Sequence, residues 1–148
     1  MDYVTPPAAP SRAAAWGGRA MGALPVLFLL MDGGMKLAKP AVVVSGTKDL
    51  GYPESAIVPL GVVLLACTVL YAVPRTAVLG AILLTGYLGG AVSAHVRLSQ
   101  PLFSHTLFPT YLGVLLWGGL LLRDRRLRAL LPWRSPERPA PRADVIEV

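Results

Sequence analysis

A chain of 148 residues that is 54% hydrophobic and only 15% charged, with a mean hydropathy of +0.57, is too apolar for an ordinary soluble domain, in which about a quarter of the residues carry charge. The net charge of +6 sits on cations that flank apolar runs and are not interleaved with aromatics, which excludes nucleic acid as a partner and leaves the lipid bilayer as the expected solvent. The only cysteine, Cys67 within LLACTVL, excludes a disulfide framework, a C-x-x-C pair and a zinc cluster.

In chain order, Pro6, Pro7 and Pro10 mark residues 1–15 as a disordered N-terminal segment. A four-helix transmembrane domain is expected over residues 16–122, with spans at about 16–37, 57–73, 76–97 and 107–122. The first is the least clean, because Arg19 stands near its start and Asp32 and Lys36 near its end. Its uncharged core, Ala20 to Met31 behind Arg12 and Arg19, has the form of a signal-peptide apolar region. No A-x-A site follows, and the other spans are membrane-like, so an uncleaved helix is expected. The second and third spans, IVPLGVVLLACTVLYAV and TAVLGAILLTGYLGGAVSA, carry no charge. The fourth, LFPTYLGVLLWGGLLL, is short against a core of roughly 30 Å at about 1.5 Å per residue and needs its flanks to span. Residues 123–148 divide into a basic juxtamembrane segment, whose Leu127, Leu130, Leu131 and Trp133 are expected in the headgroup region, and a disordered proline-rich tail. The fold class is therefore an all-α four-transmembrane-helix bundle with a disordered basic C-terminal tail.

Basic residues set the expected orientation. Arg12, Arg19, Arg75 and the seven arginines of the tail fall on one side, against Lys36, Lys39, Lys48 and Arg97 on the other. The positive-inside rule makes the richer side cytoplasmic, giving N-in and C-in topology. Asp32, Lys36, His95, Arg97 and His105 then gather at the outer rim, under the long segment Ala38 to Ser55.

These five form the candidate polar cluster. Asp32 and Lys36 are four residues apart with the acid first, the better order for a helical pair. Ionisable groups in a membrane pair with one another or face a polar cavity, so structural pairing and a proton, quinone or substrate role both stay open. On the third span Gly86 and Gly90, with Gly89 and Ser93 one position along, repeat the small-x-x-x-small spacing that lets helix backbones approach in lipid. Steps of four, seven and eleven from Gly86 reach Gly90, Ser93 and Arg97, which makes Arg97 the expected partner of Asp32. His95 falls on another face, and with His105 reads either as an interfacial residue or as a proton or hydrogen-bond group. Two histidines ten residues apart make no metal site by spacing, and none is expected. Phosphate-loop, nucleophile-elbow and dinucleotide motifs are absent, which counts against autonomous catalysis without settling whether the chain is an enzyme.

The run GYLGGAVSAHVRLSQPLFSHTLFPTYLGVLLWGGLLLRDRRLRALLP, with DGGMKL and TKDLGYP upstream, resembles the DoxX-like family of small bacterial four-helix membrane proteins, over roughly Ala20 to Leu131. That resemblance implies a multi-pass protein of the bacterial inner membrane. Relatives in the wider DoxX and DoxD group are associated with membrane oxidoreductase assemblies and with thiosulfate oxidation coupled to quinone. It implies a quinone as cofactor and a redox protein as partner, and it carries no catalytic motif onto these positions. A small subunit of a quinone-linked oxidoreductase and a non-catalytic scaffold or small-solute carrier are the two open classes, and a homo-oligomer fits either.

Overall fold

The computed structural model describes residues 12–124 and 127, and the regular structure among them is helical. Five helices follow one another: α1 Arg12–Ala38, α2 Ala41–Asp49, α3 Ile57–Ala72, α4 Ala77–Arg97 and α5 Phe108–Arg123. A short 3-10 turn, Glu54–Ala56, leads into α3, and a π turn, Leu102–Thr106, leads into α5. Four segments are long and apolar enough to cross a membrane: Trp16–Ala38, Glu54–Ala72, Ala77–Arg97 and Leu102–Arg123. The fold is an all-α bundle of four such helices, and the chain is a multi-pass integral membrane protein.

Around the bundle α1 packs on α5 and α3, α3 on α4, and α4 on α5. The helices thus close a ring in which α1 and α4 stand across from each other. Gly18 of α1 lies against Leu122 and Arg123 of α5, so the start of the first span and the end of the last share one end of the bundle. Its other end is roofed by α2 and the turns. Inside, Leu29, Leu64, Leu84, Leu116 and Leu120 are almost fully buried. Outside, Leu27 is 68% and Val114 65% exposed, and a bundle apolar on both inner and outer faces requires lipid around it.

Tyr71 ties α3 to α5. Its buried hydroxyl donates to the carbonyl of Leu116 at 2.7 Å, and Arg123 stacks over its ring at 5.0 Å. Gly22 of α1 makes room for it, since a Cβ there would stand 2.9 Å from the hydroxyl. Tyr71→Phe keeps the ring and loses the hydrogen bond, so reversible unfolding in detergent should show a loss of about 1 kcal/mol.

Several expectations are corrected here. Residues 12–15 begin α1, ahead of the expected first span, while the earlier part of the expected disordered segment lies outside the described residues. Ala41–Asp49, within the segment Ala38 to Ser55 for which no helix is expected, is a helix. Leu127 belongs to the buried apolar cluster instead of lying in the headgroup region, and the rest of the basic segment and proline-rich tail beyond Asp124 lies outside the described residues.

The largest correction concerns the glycines. Nothing lies within 4 Å of a Cβ built on Gly86, Gly89 or Gly90, and Ser93 is exposed, so this stripe packs no helix of the chain among the described residues. Close approach occurs elsewhere. A Cβ on Gly119 would meet Gly18 O and Gly22 N, each at 2.8 Å, one on Gly61 would meet the Cβ of Lys36 at 2.8 Å, and one on Gly33 would meet Leu65 at 2.7 Å. Gly18 and Gly22 form a G-x-x-x-G on α1, and it is this pair that α5 approaches.

Candidate functional site

The charged end of α1 stays helical to Ala38, which sets Asp32 and Lys36 one turn apart on a continuous helix. Lys36 Nζ donates to both carboxylate oxygens of Asp32, at 2.6 and 2.5 Å. Their side chains are only 28% and 16% exposed. The Lys36 stem runs past Gly61 of α3, where a larger residue would displace it. Asp32 therefore pairs with its own helix and not with Arg97. The local partner is favoured because holding it restricts no further chain.

Arg97, at the end of α4, turns to the roof, and its Nη2 donates to the carbonyl of Leu50 at 2.9 Å. Gly51 follows with φ +80°, a backbone form that suits glycine and that lets the guanidinium pass close by. Lys48 and Glu54 pair at 2.9 Å across the same loop. Lys39 and Ser99 each adopt φ +51° just beyond α1 and α4, and the backbone N–H groups of Lys39 and Ser99 close those helix ends on the carbonyls of Met35 and Val96 at 2.9 Å. Both sharp corners direct the connecting segments over the end of the bundle. Arg97→Gln should free the Leu50 carbonyl and loosen the roof. Faster amide hydrogen exchange over residues 41–52, with α3 and α4 protected as before, is the expected result.

Beneath the roof is a cavity of about 410 Å³ lined by residues from all five helices. Asp32, Lys36 and His95 line it together, although His95 falls on a different face of α4 from Arg97. Thr47 and Tyr52 line it from the roof and Tyr87 from α4. Its walls are apolar, with Phe28 and Phe108 in edge-to-face contact at a centroid distance of 5.2 Å. A mostly apolar cavity with a few convergent polar groups is the usual form of a small-molecule site.

His95 Nδ1 meets the side-chain oxygen of Gln100 at 2.6 Å, and the Thr106 hydroxyl donates to the Gln100 carbonyl at 3.2 Å. The π turn is thereby linked to His95. Its His105 ring lies 6.3 Å from that of His95, with Nδ1 against the Ser104 hydroxyl at 2.8 Å. Of the expected cluster residues the cavity takes Asp32, Lys36 and His95, and Arg97 and His105 stand outside its lining. Gly86 and Gly90 line it instead of packing a helix, while Gly89 lines a second, apolar groove beside Pro109 and Trp117.

Sequence reasoning missed Thr47, Tyr52 and Tyr87. Tyr87 carries a usable signal: it is the one tyrosine of an otherwise mostly aliphatic span, and its spacing from His95 sets both on neighbouring strips of α4. Among the described residues no three His, Cys, Asp or Glu side chains gather as a metal site would require.

A model of the DoxX-like family matches residues 20–119, about two thirds of the chain and the whole stretch that builds the cavity's walls. The chain belongs to the DoxX-like family. Comparison with curated proteins and comparison with solved structures each gave no match. Within this DoxX-like protein the matched region includes Asp32, Lys36, Tyr52, Tyr87 and His95, whereas Arg123 and Leu127 at the terminal end fall outside it.

Proposed function

We propose that this DoxX-like protein is a small subunit of a quinone-linked membrane oxidoreductase, and that the roofed cavity binds the quinone head group. The observation that carries this reading is the meeting of Asp32, Lys36, Tyr52, Tyr87 and His95 around one apolar-walled space. A quinone head is uncharged and presents two carbonyl acceptors. The residues fit it, because the Asp32–Lys36 pair is neutral as a unit, and the hydroxyls of Thr47, Tyr52 and Tyr87 donate no hydrogen bond among the described residues.

When bound, a quinone supplies two-electron, two-proton chemistry. The chain's own residues would orient the ring against the apolar wall that Phe28 and Phe108 form together, donate hydrogen bonds to its oxygens, and exchange protons at Asp32 and His95. Electrons come from a partner redox protein. The ten-to-four excess of basic residues supports a terminal end in the cytoplasm of a bacterial inner membrane, with the cavity at the outer leaflet.

One observation favours the second reading, a scaffold or solute carrier without redox chemistry: Asp32 and Lys36 satisfy each other, and Arg97 serves the roof. Purification in nanodiscs followed by lipid extraction separates the two. Quinone that co-purifies with the wild type and is absent from a folded Asp32→Asn/Lys36→Gln variant supports the site. Equal quinone in both, or none in either, supports the scaffold or carrier.

A further inference from the structure

The cavity has two boundaries of different kinds. Toward the roofed end it is covered by Thr47, Leu50 and Tyr52, and Arg97 fastens that cover by its bond to the Leu50 carbonyl. Along α4 the lining continues to Gly90 and Gly86, and both glycines are exposed. No atom stands within 4 Å of where their Cβ atoms would be. On the same face Leu79, Ile82 and Leu83 are exposed toward the middle of the bundle, so that part of the surface faces hydrocarbon, and the exposed Ser93 follows toward the roof. On α3, which packs beside α4, Leu60 also lines the cavity.

From the end of α4 at Arg97, Gly90 lies about 10 Å and Gly86 about 16 Å along the helix, and the two are separated by about 6 Å. The gap at these glycines therefore spans the turn of α4 that reaches from the cavity's charged end to near the middle of a roughly 30 Å core. It is one helical turn high, which suits a single hydrocarbon chain. His95 lies on the roof side of it along α4, Tyr87 lies beside it on the same turn, Asp32 and Lys36 line the same cavity from α1, and the rest of the lining is largely apolar or glycine.

We infer that ligand enters the cavity from the membrane, between α3 and α4 across Gly86 and Gly90, and that it is an amphipath with an uncharged, acceptor-bearing head and one apolar chain that stays in the gap. This rests on the reading of the cavity as a head-group site and adds the route and the shape of the ligand. It also gives the exposed glycines a role that helix packing does not: a side chain at either position would fill the opening.

The test uses the full chain in nanodiscs, with two probes, a benzoquinone bearing a ten-carbon chain and the same head group without it. The variant is Gly86→Leu/Gly90→Leu, in which both leucines enter open space and replace a poor helix former with a good one, so folding is retained; thermal unfolding verifies this. For the chain-bearing probe, affinity referred to its concentration in lipid should fall at least tenfold in the variant, while the chainless probe changes less than threefold. Unchanged affinity for the chain-bearing probe overturns the lateral route and leaves the head-group site standing. Loss of both probes also overturns it, since the leucines then act on the head-group space. Failure of both probes to bind the wild type overturns the head-group site and the route together.

Discussion

Gly119→Leu is expected to destabilise the bundle by about 3 kcal/mol or more, enough to remove most of the folded protein from detergent extracts. A Cβ at this position would stand 2.8 Å from both Gly18 O and Gly22 N and 3.0 Å from Gly22 Cα. Those are backbone atoms, which cannot rotate away, so α1 and α5 must move apart. Separation would also open the α1–α5 seam of a core in which Leu116 and Leu120 are almost fully buried, and overpacking that displaces whole helices lies at the upper end of what single substitutions do. Gly89→Leu, the matched control on α4, meets nothing within 4 Å and should change stability by less than about 0.5 kcal/mol. Unfolding by a graded denaturing detergent, followed by helicity, reads both. A large loss at Gly89 with tolerance at Gly119 would reverse the assignment of which glycines hold the bundle.

Asp32→Asn should lower stability by about 2 kcal/mol and abolish ligand binding. Removing one member of a buried ion pair costs roughly 3–5 kcal/mol because the other charge is left uncompensated. Here the discount comes from position: Lys36 is 16% exposed at its side chain and near enough to the roofed end to reach toward water. Asp32→Asn/Lys36→Gln removes both charges while keeping shape and hydrogen-bonding capacity. Its stability should return to within about 1 kcal/mol of the wild type, because an ion pair replaced as a whole leaves no orphan. If the cavity binds quinone as proposed, binding should stay lost, since neither the carboxylate nor the ammonium donor remains. Stability and binding that recovered together would show that the pair acts on the ligand only through the fold.

The architecture is legible where the physics is one-dimensional. Apolar length alone locates α3 and α4, whose observed limits, Ile57–Ala72 and Ala77–Arg97, lie within about a residue of the expected spans, as close as helix ends can be defined. α2 is hidden because AVVVSGTKD is short, β-branched at its start and set in a loop between Pro40 and Gly51, where periodicity over so few residues decides little. The glycine stripe misleads for a related reason. Spacing shows which small residues share a helix face, but the direction of that face depends on where the neighbouring helices sit. Gly86 and Gly90 turn to the cavity gap, while Gly18 and Gly22 escape notice because Arg19 between them makes that end of α1 look polar.

The candidate site is legible in part. Topology locates its charges at one end, and spacing joins Asp32 to Lys36. A carboxylate in lipid needs a partner, which points to Arg97, yet Lys36, already one turn away on the same helix, meets that need without ordering a second element. The released Arg97 is what fastens the roof. Tyr52 and Thr47 reach the cavity only because α2 and the loop after it fold back over the bundle, a placement that no local pattern in TKDLGYP encodes.

Photolabelling offers the most direct measurement of whether the roofed cavity is a quinone site. The full chain in nanodiscs is irradiated with a benzoquinone carrying a diazirine on its ring, and the modified residues are mapped by peptide mass spectrometry. Labels concentrated on Tyr52, Tyr87 and His95, and competed away by unlabelled quinone, are the expected result. Labels confined to outward-facing residues such as Leu79, Ile82 and Val114, with none in the cavity and no competition, would contradict it.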